Sequence, residues 1–204
     1  FVQLGSPTAP TAKALRKFLK NFLGDPRVVD LNPYLWKVIL NCFVLPFRPK
    51  RSAKLYARIW DGEKFPLIAN TEKFTDKVRE EIKRLDPGGL VEVNHAFLLS
   101  RPYVSDVYDS WEEDLKNGTG ATKLLVIPLF PQYSESTIAS GVDALGKEFT
   151  RRVKIPTFEV ITNFHRSHAF IDNSVQRIDR SIAQLQHQNI NVESLVISFH
   201  GMQK

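Results

Sequence analysis

The sequence predicts an α/β fold, in which an open parallel sheet of four to five strands is flanked by helices, with a helical insertion after the first strand. Two observations support this class. Five short apolar runs recur at wide spacing along the 204 residues, and amphipathic segments lie between them. Runs that are apolar on both faces are typical of a buried parallel sheet, and strand–helix–strand alternation requires crossover helices on its faces. The length fits one domain, so we assign residues 1–204 to a single domain.

Each predicted strand is a short run rich in apolar residues that ends at a turn or loop. Lys123–Phe130 reads KLLVIPLF and is apolar almost throughout, whereas Leu90–Leu99 is interrupted by Asn94 and His95. Such runs are typical of strands when turn signals bound them. The predicted strands are Phe1–Leu4, Leu90–Leu99, Lys123–Phe130, Thr157–Thr162 and Ser194–Phe199.

Helices are predicted where apolar residues recur every three or four positions. Thr11–Leu23 shows this spacing, and Glu72–Leu85 ends before the stop sequence Asp86-Pro87-Gly88-Gly89. The helical insertion covers residues 30–85 in approximate terms. The predicted helices are Thr11–Leu23, Pro33–Phe47, Pro49–Trp60, Glu72–Leu85, Ser105–Lys116, Ser136–Arg152 and Ser167–Gln188.

Composition and charge exclude several classes of protein. No apolar stretch reaches the roughly 20 residues of a membrane-spanning helix. A single cysteine, Cys42, excludes an internal disulfide and fits a reducing compartment such as the cytoplasm, and we expect it to be a buried filler in an apolar helix.

The basic residues are concentrated in the first half of the chain. Residues 1–102 hold 18 Lys and Arg against 10 Asp and Glu, whereas residues 103–204 hold 10 against 12. Such a basic half fits a phosphate, a lipid surface or an acidic small molecule, or only a solvated helix face. No nucleic-acid recognition motif accompanies it, so we expect no nucleic-acid partner.

Candidate functional residues lie where predicted strands end, because ligands of open α/β sheets bind outside the carboxyl ends of the strands. His200 follows the last apolar run, and its imidazole can bind a metal or accept a proton near neutral pH. The alternative is a histidine that only hydrogen-bonds a neighbouring loop. Ser134, Ser136 and Thr137 follow another strand, where they can cap the next helix or leave its N-terminus open to a carboxylate or phosphate.

The insertion combines apolar bulk with a basic helix start. Pro33–Phe47 reads PYLWKVILNCFVLPF, which is partly core and partly an exposed lip for a flat hydrophobic ligand or a membrane surface. Elsewhere, His165 and His168 lie three residues apart without matching a metal motif, so we favour a structural role for them. The basic cluster of the insertion is Arg48, Lys50, Arg51, Lys54 and Arg58.

Four segments, taken together, resemble the ferrochelatase family, whose enzymes insert ferrous iron into protoporphyrin IX to make haem. In chain order they are QLGSPTAPTAKALRKFLKNFLGDPRVVDLNPYLW, LPFRPKRSAKLY, VIPLFPQYSEST and SFHG. The first two resemble the family's F-L-x-D-x-R-V-V segment and its L-P-x-R-x-x-x-x-A-x-x-Y helix start. The last two resemble its L-P-L-Y-P-Q-Y/F-S-x-S-T and S-x-H-G/S motifs. The resemblance covers nearly the whole chain.

The resemblance implies roles for several residues. His200 matches the histidine beside the porphyrin centre, which makes it the candidate catalytic residue and metal ligand. Arginine side chains at the basic helix start are candidates for gripping propionates bidentately. The apolar lip resembles the one that admits porphyrin and touches the membrane. The residues expected to bind porphyrin are Ser134, Ser136, Thr137, Arg48, Arg51, Leu98 and Leu99.

The chain also departs from the family pattern. Family chains are nearly twice as long and hold porphyrin between two similar α/β halves, so the resemblance assigns this chain to the N-terminal half. Leu98 and Leu99 stand where the family has an Arg-Tyr pair, Lys64-Phe65-Pro66 replaces G-S-P, and Gln203 replaces a proline.

Two functions remain open. The chain is either a ferrochelatase, completed by a homodimer or by a separate second-half chain, or a catalytically inactive porphyrin- or haem-binding or regulatory remnant. In both cases we expect porphyrin as the ligand and no tightly bound cofactor. Ferrous iron is expected as a substrate. We expect a cytoplasmic location with peripheral contact at a membrane.

Overall fold

Four short strands form two parallel pairs within residues 1–198, which are the residues that the computed structural model describes. The first strand pairs with the second, and the third pairs with the fourth. The two pairs are bridged at Val2, whose N–H donates to Ile127 O (3.1 Å) and whose carbonyl accepts from Leu129 N (2.8 Å). The strands are Val2–Gln3 (β1), Ala96–Phe97 (β2), Lys123–Val126 (β3) and Thr157–Val160 (β4).

The α/β class and the parallel pairing are confirmed, but the expected open sheet of four to five strands is wrong. Residues 90–95 are not a strand, and side chains rather than a neighbouring strand bond the backbone of Val91 and Val93. Arg79 Nε donates to Val93 O (2.8 Å), and Asp86 Oδ2 accepts from Val91 N (2.9 Å). The last predicted strand is not formed within Ser194–Ser198, and its final residue lies outside residues 1–198.

The helices match the sequence prediction closely in position. Thr11 caps the first helix through a hydrogen bond from Ala14 N to its Oγ1 (3.2 Å). The fourth helix begins at Pro66 rather than at Glu72, since proline fits the first turn, where its missing N–H costs nothing. The helices are Ala12–Leu23 (α1), Pro33–Ile39 (α2), Leu45–Tyr56 (α3), Pro66–Leu85 (α4), Val104–Lys116 (α5), Ser140–Arg151 (α6) and His168–His187 (α7).

The second and third helices form one continuous helical run. A π-helical turn, Leu40–Val44, joins α2 to α3, and a 3-10 turn, Ala57–Ile59, follows α3. Pro49 lies inside α3 and cannot donate to the carbonyl of Leu45. Arg16 on α1 supplies the missing donor, because its Nη1 lies 2.8 Å from Leu45 O. The helix therefore continues through Pro49, where the sequence predicts the start of a separate helix.

Two apolar clusters form the core of the strand-bearing part of the chain. One, the sheet cluster, lies where β1, β2 and β3 meet α5 and α6. The other, the insertion cluster, lies between α1 and the start of α3. The buried members of the sheet cluster are Val2, Ala96, Val104, Val126 and Leu145, and those of the insertion cluster are Phe18, Leu19, Leu23, Leu40 and Leu45.

The chain divides into two compact units. The first is Phe1–Thr162, which contains all four strands and both clusters, and the second begins at Asn163 and contains α7. The assignment of the chain to a single domain stays a prediction. Within residues 1–198, no helix combines the length and apolar character that crossing a membrane requires.

Candidate functional site

Hydrogen bonds join the loops that follow β1 and β2. Ser6 N donates to Ser100 Oγ (3.3 Å) where both serines are buried, and Leu99 N donates to Leu4 O (2.9 Å). Gly5 has φ +93°, and a Cβ on it would lie 2.4 Å from Ser100 Oγ. Glycine is therefore required at this position, and the two loops form one edge at the carboxyl ends of the strands.

Leu98 and Leu99, two of the predicted porphyrin contacts, lie at this edge and are half-buried. Leu98 packs against the sheet cluster, whereas Leu99 packs against the insertion cluster. These two neighbouring leucines therefore link both clusters. Their contact with porphyrin stays a prediction.

The segment Ser134–Thr137 follows the β3 strand and begins a π-helical turn, Glu135–Ala139. Ser134 occupies the N-cap position that the sequence predicts, but its hydroxyl bonds the hydroxyl of Thr137 rather than a backbone N–H. The carbonyl of Ser134 accepts from Ile138 N at 3.0 Å. Ser134, Ser136 and Thr137 are all half-buried, so part of each remains accessible to a ligand.

A bidentate ion pair lies beside this segment. Arg27, in the loop after α1, donates from Nε to Asp143 Oδ2 (2.5 Å) and from Nη2 to Asp143 Oδ1 (2.9 Å). The hydrogen bond from Arg27 lowers the pKa of the Asp143 carboxyl, and the same bond raises the pKa of Arg27. Tyr133 and Glu135 also lie near enough to raise the pKa of Arg27. The sequence does not predict this pair, because its members are 116 positions apart and no local pattern links them.

The predicted propionate-binding arginines lie exposed on α3. Within residues 1–198, neither Arg48 nor Arg51 forms an ion pair or a hydrogen bond with Ser134–Thr137. Arg48 lies near Tyr56. Burial raises the pKa of the Tyr56 phenol, and the positive charge of Arg48 partly offsets this rise. The structure therefore leaves these guanidinium groups accessible, and their role stays a prediction.

The predicted apolar lip is exposed along most of its length. Tyr34 is 84% exposed and Phe47 is 73% exposed, and only Leu40 and Leu45 of this helical run are buried in the insertion cluster. Cys42 is also exposed, so its prediction as a buried filler is wrong. The reason is geometric, because the π-helical turn directs Leu40 to the core and leaves Cys42 on the outer face.

A surface groove of about 500 Å³ lies elsewhere, against α4. Its lining mixes five acidic with three basic side chains, and Lys64 is paired with Glu72 (2.7 Å). Sites for flat hydrophobic ligands are lined mainly by apolar and aromatic side chains. The groove therefore does not fit a porphyrin.

His200, the candidate catalytic residue and metal ligand, lies outside residues 1–198, as does Gly201. Its role stays a prediction. Within the described range, no group of three or more His, Cys, Asp or Glu side chains is arranged to hold a metal ion. In the second unit, His165 is half-buried, and His168 is exposed at the start of α7.

Parallel strand pairs, helical crossovers and loops that meet at the carboxyl ends of β1 and β2 define an α/β protein. The ferrochelatase family model matches residues 1–204, and the chain belongs to the ferrochelatase family. It is 39% identical over 201 residues to a ferrochelatase of Idiomarina loihiensis and 38% identical over 199 residues to one of Marinobacter nauticus. It is also 38% identical over 201 residues to the coproporphyrin III ferrochelatase of Streptococcus mutans.

The matches cover almost all of this chain but only part of each relative. They include 98% of this chain in all three cases. The share of the relative is 52% for Idiomarina loihiensis, 51% for Marinobacter nauticus and 58% for Streptococcus mutans. The chain thus spans about half the length of the curated relatives that it matches. This share agrees with the assignment to one half of the family's chain.

Proposed function

We propose that this chain is the N-terminal half of a ferrochelatase of haem biosynthesis and that it inserts ferrous iron into protoporphyrin IX together with a second half. The family match over all 204 residues, which includes the segment around His200, is the observation that supports this most. The loops after β1 and β2 form a common edge, where ligands of α/β proteins bind. Porphyrin and ferrous iron are substrates in this proposal, and no tightly bound cofactor is needed.

The chemistry assigns a distinct task to each predicted residue. Two pyrrole N–H groups lose their protons as the ferrous ion takes their place, so a base must stand beside the macrocycle. The neutral imidazole of His200 accepts such a proton near pH 7. Arg48 and Arg51 have no ion-pair partner within residues 1–198, which leaves their guanidinium groups available for propionates.

The proposal has two versions, which differ in the porphyrin that serves as substrate. The Streptococcus mutans relative is named for coproporphyrin III, which carries more propionate groups than protoporphyrin IX. Titrating both porphyrins into the purified chain and following fluorescence quenching decides between them. A preference for protoporphyrin IX supports the stated substrate, and a preference for coproporphyrin III replaces it.

Catalysis is tested by following zinc or ferrous ion insertion by absorbance, for the chain alone and mixed with a second-half chain. We expect His200→Ala to lose insertion in any active combination, because the proposal assigns the proton-accepting role to this imidazole. His187→Ala is the matched control, since it removes an exposed histidine at the end of α7. If no combination of wild-type chains inserts metal, the catalytic proposal is wrong.

A non-catalytic porphyrin- or haem-binding protein is the second candidate. It is favoured by Leu98 and Leu99, which pack into the two apolar clusters where the family pattern has polar side chains. Porphyrin binding without metal insertion supports this candidate. Absence of porphyrin binding would remove both candidates.

The proposal includes a partner that supplies the second half of the enzyme. A second copy or a separate second-half chain would close over the porphyrin. Sedimentation measurements at several protein concentrations, with and without the second-half chain, test this. A chain that remains monomeric and does not bind the second half would contradict an assembled enzyme.

Peripheral membrane contact from a cytoplasmic location is a further part of the proposal. The exposed apolar lip and the exposed cations of α3 are its support, since interfacial segments combine both features. Co-sedimentation with phospholipid vesicles tests it, and we expect the double variant Phe43→Ser and Phe47→Ser to reduce binding. Leu90→Ser is the control, because Leu90 is exposed outside the insertion. Equal binding by all three proteins would show that the lip does not contact lipid.

A further inference from the structure

We propose that Arg27 and Asp143 form a clasp that positions the Ser134–Thr137 segment for its ligand. The inference rests on the proposed function, in which this segment contacts porphyrin. Arg27 lies in the loop after α1 and Asp143 lies in α6, so one bidentate contact joins this loop to α6. Both are positioning residues, since neither is expected to touch the reacting atoms.

The Arg27 end of the clasp is anchored. Asp25 Oδ1 accepts from Arg27 N (2.9 Å), and the carbonyl of Asp25 accepts from Val28 N (3.0 Å) and Val29 N (3.1 Å). Val28 and Val29 pack against the insertion cluster. The backbone that carries Arg27 is therefore held by a local turn and by apolar packing.

The Asp143 end is coupled directly to the predicted ligand segment. Asp143 lies in the first turn of α6, which continues from the π-helical turn Glu135–Ala139. Ile138 in that turn is 0% exposed, and Ser140 Oγ donates to Glu135 O (3.3 Å). Because the turn and the helix are continuous, a displacement of Asp143 also displaces Ser134 and its neighbours.

The connection differs from ion pairs that lie within a single helix. Arg79–Asp76 and Arg84–Glu81 are contacts within α4. The Arg27–Asp143 pair instead links the loop after α1 with α6, and among residues 1–198 no other ion pair joins residues 12–85 to α6. Exposed ion pairs contribute little to stability, but a bidentate guanidinium–carboxylate contact fixes orientation. The main expected effect of its loss is therefore on the position of the segment, with only a small effect on stability.

Hydrogen–deuterium exchange of the full chain tests the clasp without any ligand. Arg27→Ala and Asp143→Ala should both raise amide exchange in peptides that cover residues 134–140. Arg84→Ala is the matched control, because it removes an exposed arginine–carboxylate pair on α4. Wild-type exchange in these peptides for both variants would overturn the proposal.

Porphyrin titration tests the consequence for binding. We expect each single variant to bind protoporphyrin IX about three- to tenfold more weakly than the wild type, with only a small fall in melting temperature. The charge swap Arg27→Asp with Asp143→Arg should recover most of the affinity and the slow exchange, because it forms the ion pair again with reversed charges. A role in folding alone would change the melting temperature and not the affinity. Unchanged affinity in the single variants, or a swap that repairs neither measurement, would contradict the clasp. If the wild type binds no porphyrin, the proposed function is wrong. The exchange measurement alone then shows whether Arg27 and Asp143 position the Ser134–Thr137 segment.

Discussion

At the scale of single residues, Gly5 is the position with the least freedom. Its φ of +93° is strained for any other residue, and a Cβ would lie 2.4 Å from Ser100 Oγ and 3.1 Å from Ser100 N. We expect Gly5→Ala to lower the free energy of unfolding by about 2 to 4 kcal/mol, from backbone strain and overpacking together. Urea unfolding measures the change.

The control for this prediction separates strain from crowding. Gly62 also has a positive φ, +106°, but no atom lies within 4 Å of a Cβ built on it. Gly62→Ala should therefore show the strain without the clash and destabilise the protein less than Gly5→Ala. Equal losses for the two variants would mean that contact with Ser100 does not matter.

Asp143 gives the protein a pH dependence whose sign follows from its ion pair. Its pKa lies below the ordinary 3.8, because Arg27 donates hydrogen bonds to the charged form. The carboxylate therefore stabilises the folded state fully above about pH 4, and this contribution is lost as the pH falls through the lower folded pKa. Comparing wild type with Asp143→Asn by urea unfolding should show a gap in stability at pH 6 that closes in stronger acid. A gap that widens in acid would contradict the prediction.

At the scale of elements, Arg152 holds α5 against α6. Its guanidinium donates to Glu148 (3.0 Å), Glu112 (2.7 Å) and Asp109 (2.5 Å) and lies 4.9 Å from the ring centre of Tyr108. The side chain is only 12% exposed. Burial opposes its charge, but the three carboxylate contacts outweigh it, so the pKa of Arg152 is raised overall.

Removing Arg152 should leave buried Glu148 short of a partner. We expect Arg152→Ala to lower the free energy of unfolding by about 2 to 4 kcal/mol, as is typical when one member of a buried pair is lost. Arg151 pairs with the same Glu148 but is 61% exposed, so Arg151→Ala should cost less than about 1 kcal/mol. Thermal or urea unfolding of both variants checks this. Similar losses would show that burial of Arg152 is not the cause.

Helix boundaries also belong to this scale. Two prolines, Pro46 and Pro49, lie near the predicted break between the helices Pro33–Phe47 and Pro49–Trp60, and proline disfavours a helix interior. The structure continues through both, since Pro46 lies in the first turn of α3 and Arg16 donates to the carbonyl that Pro49 leaves unpaired. The donor comes from another helix, so no reading of the local sequence shows it.

At the scale of the whole molecule, the core is unevenly distributed along the chain. The buried members of both apolar clusters lie between Val2 and Leu145, within the first unit. We therefore expect a fragment of residues 1–162 to fold alone and to unfold in one cooperative urea transition. A broad, non-cooperative transition would mean that the first unit depends on the rest of the chain. The full chain, measured in parallel, is the reference.

The sequence alone determined the fold class, most helix positions and the family, because apolar periodicity, turn residues and the four family segments are local patterns. Tertiary structure decided the strand pairing, the continuous helix through Pro49 and the exposure of Cys42, since each depends on what a distant segment supplies. Residues 90–95 illustrate the reason, because the backbone of Val91 and Val93 bonds the side chains of Asp86 and Arg79 instead of a neighbouring strand. The Arg27–Asp143 clasp at the candidate site likewise depends on tertiary structure, because its two side chains are 116 positions apart and meet only after folding.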